Sequence, residues 1–169
     1  MNVLRHILLL VLAYILQTTW VYGISVADLR PNLVILTLLF IALQAGSFEA
    51  TILGFFIGFV QDLNVPDELG LNAFINSLVA FGVGWLRLHI TGNNLKVQIV
   101  VIFGGALVHN LLYCMMDGAL PWSDVSFFWI RYGVGSALYT GVFGALVAGV
   151  LLLRSHIMPE RGDRRNESL

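Results

Sequence analysis

The chain has 169 residues, 58% hydrophobic and only 11% charged, with a formal net charge of −1. Soluble domains carry about 25% charged residues, so a water-soluble globule is excluded, and a mean hydropathy of +0.85 points to an all-α integral membrane protein. No basic face or binding module supports contact with nucleic acid. The single cysteine, Cys114, excludes an internal disulfide and a cysteine-based metal centre.

Taken in order, the apolar runs predict six spans at about 4–23, 32–46, 49–63, 71–88, 96–116 and 127–153. The first starts at Met1-Asn-Val-Leu-Arg5-His6 and lacks a small-x-small cleavage site, so an uncleaved span rather than a signal peptide is expected. Spans two and three are each shorter than the usual ~20 residues and meet at Gly46-Ser47-Phe48-Glu49. Read as one helix they would hold Glu49 near mid-bilayer at roughly 2.5–3.5 kcal/mol. Splitting the run moves Glu49 to an interface, which gives six spans rather than five.

Span three carries Gly54-Phe-Phe-Ile-Gly58-Phe-Val-Gln-Asp62. Gly54 and Gly58, four apart, share a helical face and admit a neighbouring backbone. Asp62 ends the span, Pro66 stops the chain from continuing straight, and Gly70 permits the turn into span four. Asn72 and Asn76 share one face of that span's outer half, and His109 and Asn110 lie in the outer half of span five. Asp62 and Arg131 cap neighbouring spans at the same level, and Asp62, Asp117 and Asp124 are prospective ion-pair partners for Arg131, which can equally snorkel to water. Polar groups in lipid find one another, either as interhelical glue or as the lining of an outward-facing cavity. The last span has a small-residue ladder, Gly133, Ala137, Gly141, Ala145 and Gly149, suited to packing within the chain or to docking a foreign helix.

With the N-terminus inside, the cytoplasmic segments hold Arg5, Arg87, Lys96, Arg154, Arg161, Arg164 and Arg165, and the outer loops only Arg30 and Arg131. A five-span chain with its N-terminus outside gives an equal tally, since Arg5 and Arg30 merely swap sides. Charge therefore places the tail in the cytoplasm, and the six spans from the Glu49 argument place the N-terminus there too. Trp20, Tyr22, Trp122 and Trp129 fall at the outer interface and Trp85 at the inner one. Residues 1–153 make one transmembrane domain, and 154–169 a short polar cytoplasmic tail that meets membrane lipids. No His-Glu-x-x-His, phosphate-cradling glycine loop or Gly-x-Ser-x-Gly is present, so no catalytic, cofactor-binding or metal-binding residue is assigned.

The run Gly54-Phe55-x-x-Gly58-x-x-x-Asp62, followed by Leu69-Gly70, resembles the rod-shape-determining protein MreD family, with Phe59 where that family usually has leucine. The resemblance implies a non-catalytic inner-membrane subunit of the elongasome that binds the bitopic protein MreC. Through MreC it implies indirect association with actin-like MreB, the glycosyltransferase RodA and a class B transpeptidase, in support of lateral peptidoglycan synthesis and rod shape. It also implies a fold similar to the six-helix substrate-binding subunits of energy-coupling-factor transporters. Architecture is expected to rest on Gly54, Gly58, Asp62 and Gly70, and partner binding on the two glycine faces with Asn72, Asn76, His109 and Arg131. The alternative is a vitamin-like solute-binding subunit of an uptake transporter, with the outer polar cluster as its cavity.

Overall fold

The computed structural model describes residues 3–20, 23, 29–66, 69–89, 95–118 and 120–157. Its regular elements are helical: α1 (Val3–Thr19), α2 (Leu33–Ala45), α3 (Ser47–Asp62), α4 (Leu71–Leu86) with a 3-10 turn at Arg87–His89, α5 (Leu95–Met116), α6 (Val125–Phe128) and α7 (Val134–Ile157). A π-helical turn, Trp129–Gly133, joins α6 to α7. Two stretches, Leu71–His89 and Val97–Met116, are each long and apolar enough to cross a membrane; α1 and α2 are apolar but shorter. The first helix ends at Thr19 rather than near residue 23. Thr18 and Thr19 turn their hydroxyls back onto the carbonyls of Tyr14 and Ile15, which competes with the helix at its last turn. At the other end α7 runs to Ile157, four residues past the expected boundary, and the tail beyond it lies outside the described residues.

The molecule is assembled around α2. Thirteen residues make a rod only ~20 Å long, short of the ~30 Å hydrocarbon core. It is apolar on every side because it is walled in by protein: Val34, Ile35, Leu36, Leu38, Leu39, Ile41 and Ala42 are all buried, and α1, α3, α4, α5 and α7 each pack on it. Its start is pinned by polar groups from both flanks. The Asn32 side chain caps α2 by accepting the Ile35 N–H at 3.0 Å. Gln17 of α1 accepts the Leu33 N–H at 2.7 Å, and Thr140 of α7 accepts the Asn32 N–H at 2.9 Å. These bonds satisfy helix-start donors that lipid would leave open.

The break between α2 and α3 falls where the Glu49 argument puts it. A single residue, Gly46 at φ +95°, separates the two helices, in backbone territory that favours glycine. Glu49 then reaches His6 of α1, with Nδ1 to Oε1 at 2.6 Å. His6 is buried and its Nε2 has no hydrogen-bond partner.

Candidate functional site

The closest helix pair is α3 with α4, antiparallel across the loop that carries Pro66. Glycine on both helices makes the approach possible. A Cβ on Gly58 would lie 2.4 Å from the Asn72 carbonyl oxygen and 2.6 Å from Ala73 Cα; one on Gly54 would lie 2.9 Å from the Asn76 carbonyl oxygen. At the opposite end a Cβ on Gly84 would meet Ser47 Cα at 2.5 Å. Gly54 and Gly58 therefore face α4 of the same chain, and that face is not open to a foreign helix. Gly84 is the counterpart that sequence reasoning missed, although Ala80, four residues earlier on the same helix, makes a small-x3-small pair with it that could have marked the face.

Asp62 locks the pair. Gly70, the residue before α4, sits at φ +98° and has no side chain with which to cap. Asp62 caps α4 in its place, from the end of α3: Oδ2 accepts the N–H of Gly70 and of Ala73, each at 3.0 Å. Oδ1 accepts the N–H of Asn72 at 2.9 Å and its side-chain Nδ2 at 3.0 Å. Four donors on a fully buried carboxylate account for all its main acceptor sites. The C-terminal end of α3 disfavours an anion, but the N-terminal end of α4 favours one, and buried amides supply the solvation that lipid lacks.

A second polar set crosses four elements. Asn76 Nδ2 lies 2.8 Å from Gln61 Oε1, and His109 Nε2 lies 3.0 Å from Asn76 Oδ1. His109 Nδ1 is 3.3 Å from Asn110 Oδ1, and Asn110 Nδ2 donates to the Gly133 carbonyl at 2.8 Å. That carbonyl belongs to the π turn, whose i−5 bond runs from the Val134 N–H to the Trp129 carbonyl. A π turn disturbs the regular ladder, and Asn110 supplies the donor there. The carbonyl can only accept, so Asn110 must turn Oδ1 toward His109. Both imidazole nitrogens then face oxygen, which suits an imidazolium, but no carboxylate belongs to the chain of bonds. A neutral ring fits instead when it donates from Nδ1 and the Asn76 and Gln61 amides turn over, a change that leaves their shape unaltered.

The structure thus places Asn72 with Asp62, and Asn76 with His109, as polar groups that bond one another. Arg131 stays outside both sets: it is exposed, with its guanidinium 5.5 Å from the Tyr132 ring centroid. Neither the groove between α4 and α5 nor the one between α1 and α3 is lined by these polar residues. Among the described residues no three His, Cys, Asp or Glu side chains converge on a metal site.

The ladder on α7 divides along its length. Gly133 lies against Trp129 and Asn110, Ala137 is fully buried, and Gly141 faces Phe103 of α5. Ala145 is half-buried and Gly149 has open space where a Cβ would stand. The upper half is therefore used within the chain.

A small-residue surface is also open elsewhere among the described residues. Between α4 and α5 runs an apolar groove of about 530 Å³, walled by Leu78 and Leu86 on one side and Val100 and Val108 on the other. Gly82 lies midway along the first wall and Gly104 midway along the second, and a Cβ on either would meet nothing within 4 Å. Each wall reads large-x3-Gly-x3-large, so the groove has a waist. Nothing in the sequence ties Gly82 to Gly104; only the packing of α4 on α5 brings them level.

A family model described as rod shape-determining protein MreD matches residues 1–151. No curated protein and no solved structure matches the chain.

Proposed function

Since this chain belongs to the MreD family of rod shape-determining proteins, a family of shape-determining membrane proteins rather than of enzymes, we propose that it is a non-catalytic scaffold of the bacterial inner membrane. In this reading its helices cross the bilayer six times with both chain ends in the cytoplasm. It holds the transmembrane helix of an MreC-like bitopic protein, and through it supports lateral wall synthesis by RodA, its class B transpeptidase and MreB.

The observation that carries the reading is the waisted groove between α4 and α5. A glycine inside a helix costs roughly 1 kcal/mol relative to alanine, and at Gly54, Gly58 and Gly84 the close approach of α3 and α4 offsets that cost. Gly82 and Gly104 have no such return within the chain. A dip flanked by larger side chains admits a crossing helix at backbone distance, whereas an acyl chain has no need of it.

The test is co-purification of the MreC-like protein with Gly82→Leu and Gly104→Leu variants. At least a tenfold loss of partner is expected at unchanged yield and helix content of the scaffold. Full retention by both variants would remove the groove from the reading. Orientation is checked separately by introducing Ser123→Cys, which this topology makes accessible to an impermeant thiol reagent from the outer side.

A further inference from the structure

We propose that the gap between α1 and α3 holds one phospholipid with a primary-ammonium headgroup, phosphatidylethanolamine. Its ammonium rests on the Glu49 carboxylate and one acyl chain lies along the groove. α1 packs mainly on α2 and meets α3 sparsely, and polar bonds tie the two at either end of the gap. His6 Nδ1 lies 2.6 Å from Glu49 Oε1 at one end, and Asn64 Nδ2, just past α3, donates to the Tyr14 hydroxyl at the other. Between these ties runs an apolar groove of about 200 Å³. Leu10 and Ile57 lie in it, and its rims, Ile7 and Val11 on α1 and Phe56 and Val60 on α3, are 39% to 61% exposed.

Glu49 belongs to this groove by register. Leu53, Phe56 and Val60 of the lining follow it at i+4, i+7 and i+11, so the carboxylate stands at the end of the same helical face. Its side chain is 26% exposed, and His6 is its one ion-pair partner among the described residues. His6 does not cancel the charge. Its Nε2 is buried without a hydrogen-bond partner. A second ring proton there would be a charged donor with no acceptor, which costs more than an idle lone pair. A neutral ring that donates from Nδ1 leaves the carboxylate negative, with Oε2 free of any bond from the described residues. That charge stands at the mouth of a groove that is otherwise hydrocarbon.

Charge and dimensions select the occupant. The carboxylate repels an anionic headgroup, and a quaternary ammonium has no N–H to give. A primary ammonium supplies both the charge and the donor, and so the charge-assisted bond that Oε2 lacks. A helix with its side chains is about 10–12 Å across, too wide for a gap whose walls are tied by side-chain hydrogen bonds at both ends. A single acyl chain is narrow enough. From Glu49 to Val60 α3 rises ~16 Å, close to the ~15 Å depth of one leaflet. A chain whose headgroup rests at Glu49 therefore ends its course beside Val60.

The experiment exposes the delipidated full-length chain to phosphatidylethanolamine, phosphatidylcholine and phosphatidylglycerol of identical acyl chains and reads bound lipid by native mass spectrometry. One copy of phosphatidylethanolamine should be retained about tenfold over either competitor. Glu49→Gln, which keeps an acceptor for His6, should abolish that preference at unchanged helix content. In parallel, phosphatidylethanolamine with a photoactivatable diazirine on its acyl chain should label α1 and α3 of the unmodified chain. Val11→Trp, which fills the groove, should remove the label. Equal retention of the three lipids, a preference for phosphatidylglycerol, a preference that survives Glu49→Gln, or labelling confined to the α4/α5 groove would each overturn the proposal.

Discussion

The Asp62 carboxylate at the end of α3 accepts the Ala73 N–H in the first turn of α4 at 3.0 Å, so one helix is capped by the residue that terminates its neighbour. Gly70, with no side chain, leaves room for that carboxylate, and its own N–H is one of the donors. The Gly–Asp–Gly pattern is therefore one device: glycines set the distance between the helices and the acid fixes their register.

Substituting Asp62→Asn tests the device at constant shape. An amide offers one acceptor oxygen to four donors and turns its own NH2 toward some of them. At 1–3 kcal/mol for each buried donor left without a partner, the expected loss is roughly 2–6 kcal/mol. It would be read as a lower melting temperature in detergent and reduced accumulation in the membrane. Asp62→Glu should not restore stability, because the added methylene moves the oxygens out of line with three backbone N–H groups.

The glycines should rank by what their missing Cβ would strike. Gly58→Ala meets backbone at 2.4 Å and Gly84→Ala at 2.5 Å, so both belong at or above the upper end of the ~1–3 kcal/mol typical of overpacking. Gly54→Ala, at 2.9 Å, should cost less. Gly82→Ala and Gly104→Ala meet nothing and should be neutral or stabilise the isolated chain by up to about 1 kcal/mol. A melting series on the five variants checks the order, and a destabilised Gly82→Ala would show that the groove is filled from within.

Much of this was legible before any coordinates. Gly46 and Glu49 mark the break between α2 and α3, because a carboxylate and a positive-φ residue each have an identifiable place in a bilayer. The motif residues Gly54, Gly58, Asp62 and Gly70 point to close packing and a turn, but the sequence does not say that α4 fills the glycine face. Asp62 reads as the end of its own helix; its capping of the next depends on an antiparallel return that spacing alone leaves open. Gln61, Asn76 and His109 come from three helices, and their meeting is a matter of rotation and depth, to which a hydrophobic pattern is blind. The π turn leaves no mark either, since nothing in Trp-Ile-Arg-Tyr-Gly at 129–133 sets it apart from an ordinary helical turn.

The chain of bonds through His109 fixes a tautomer. With Asn110 anchored on the Gly133 carbonyl, a neutral imidazole carries its proton on Nδ1 and accepts at Nε2. Solid-state 15N spectra of ring-labelled protein should therefore show a protonated Nδ1 and an unprotonated Nε2 for this residue. Asn110→Leu removes the acceptor, and the proton should then redistribute between the two nitrogens. The opposite tautomer in the unmodified chain would mean that the Asn76 and Gln61 amides keep the reverse sense.

The start of α2 gives the last test, because it separates packing from hydrogen bonding at the centre of the fold. Thr140 is buried and its hydroxyl accepts the Asn32 N–H at 2.9 Å, and Ser136, one turn earlier on α7, donates to the Arg30 carbonyl at 2.8 Å. Thr140→Val keeps the volume and removes the acceptor, leaving a donor beside the central helix without a partner. The expected cost is about 1–3 kcal/mol, whereas Thr140→Ser, which keeps the acceptor and loses one methyl, should cost only ~1 kcal/mol. If the valine variant melts with the unmodified chain and the serine variant does not, the methyl group and not the hydroxyl holds α7 against the start of α2.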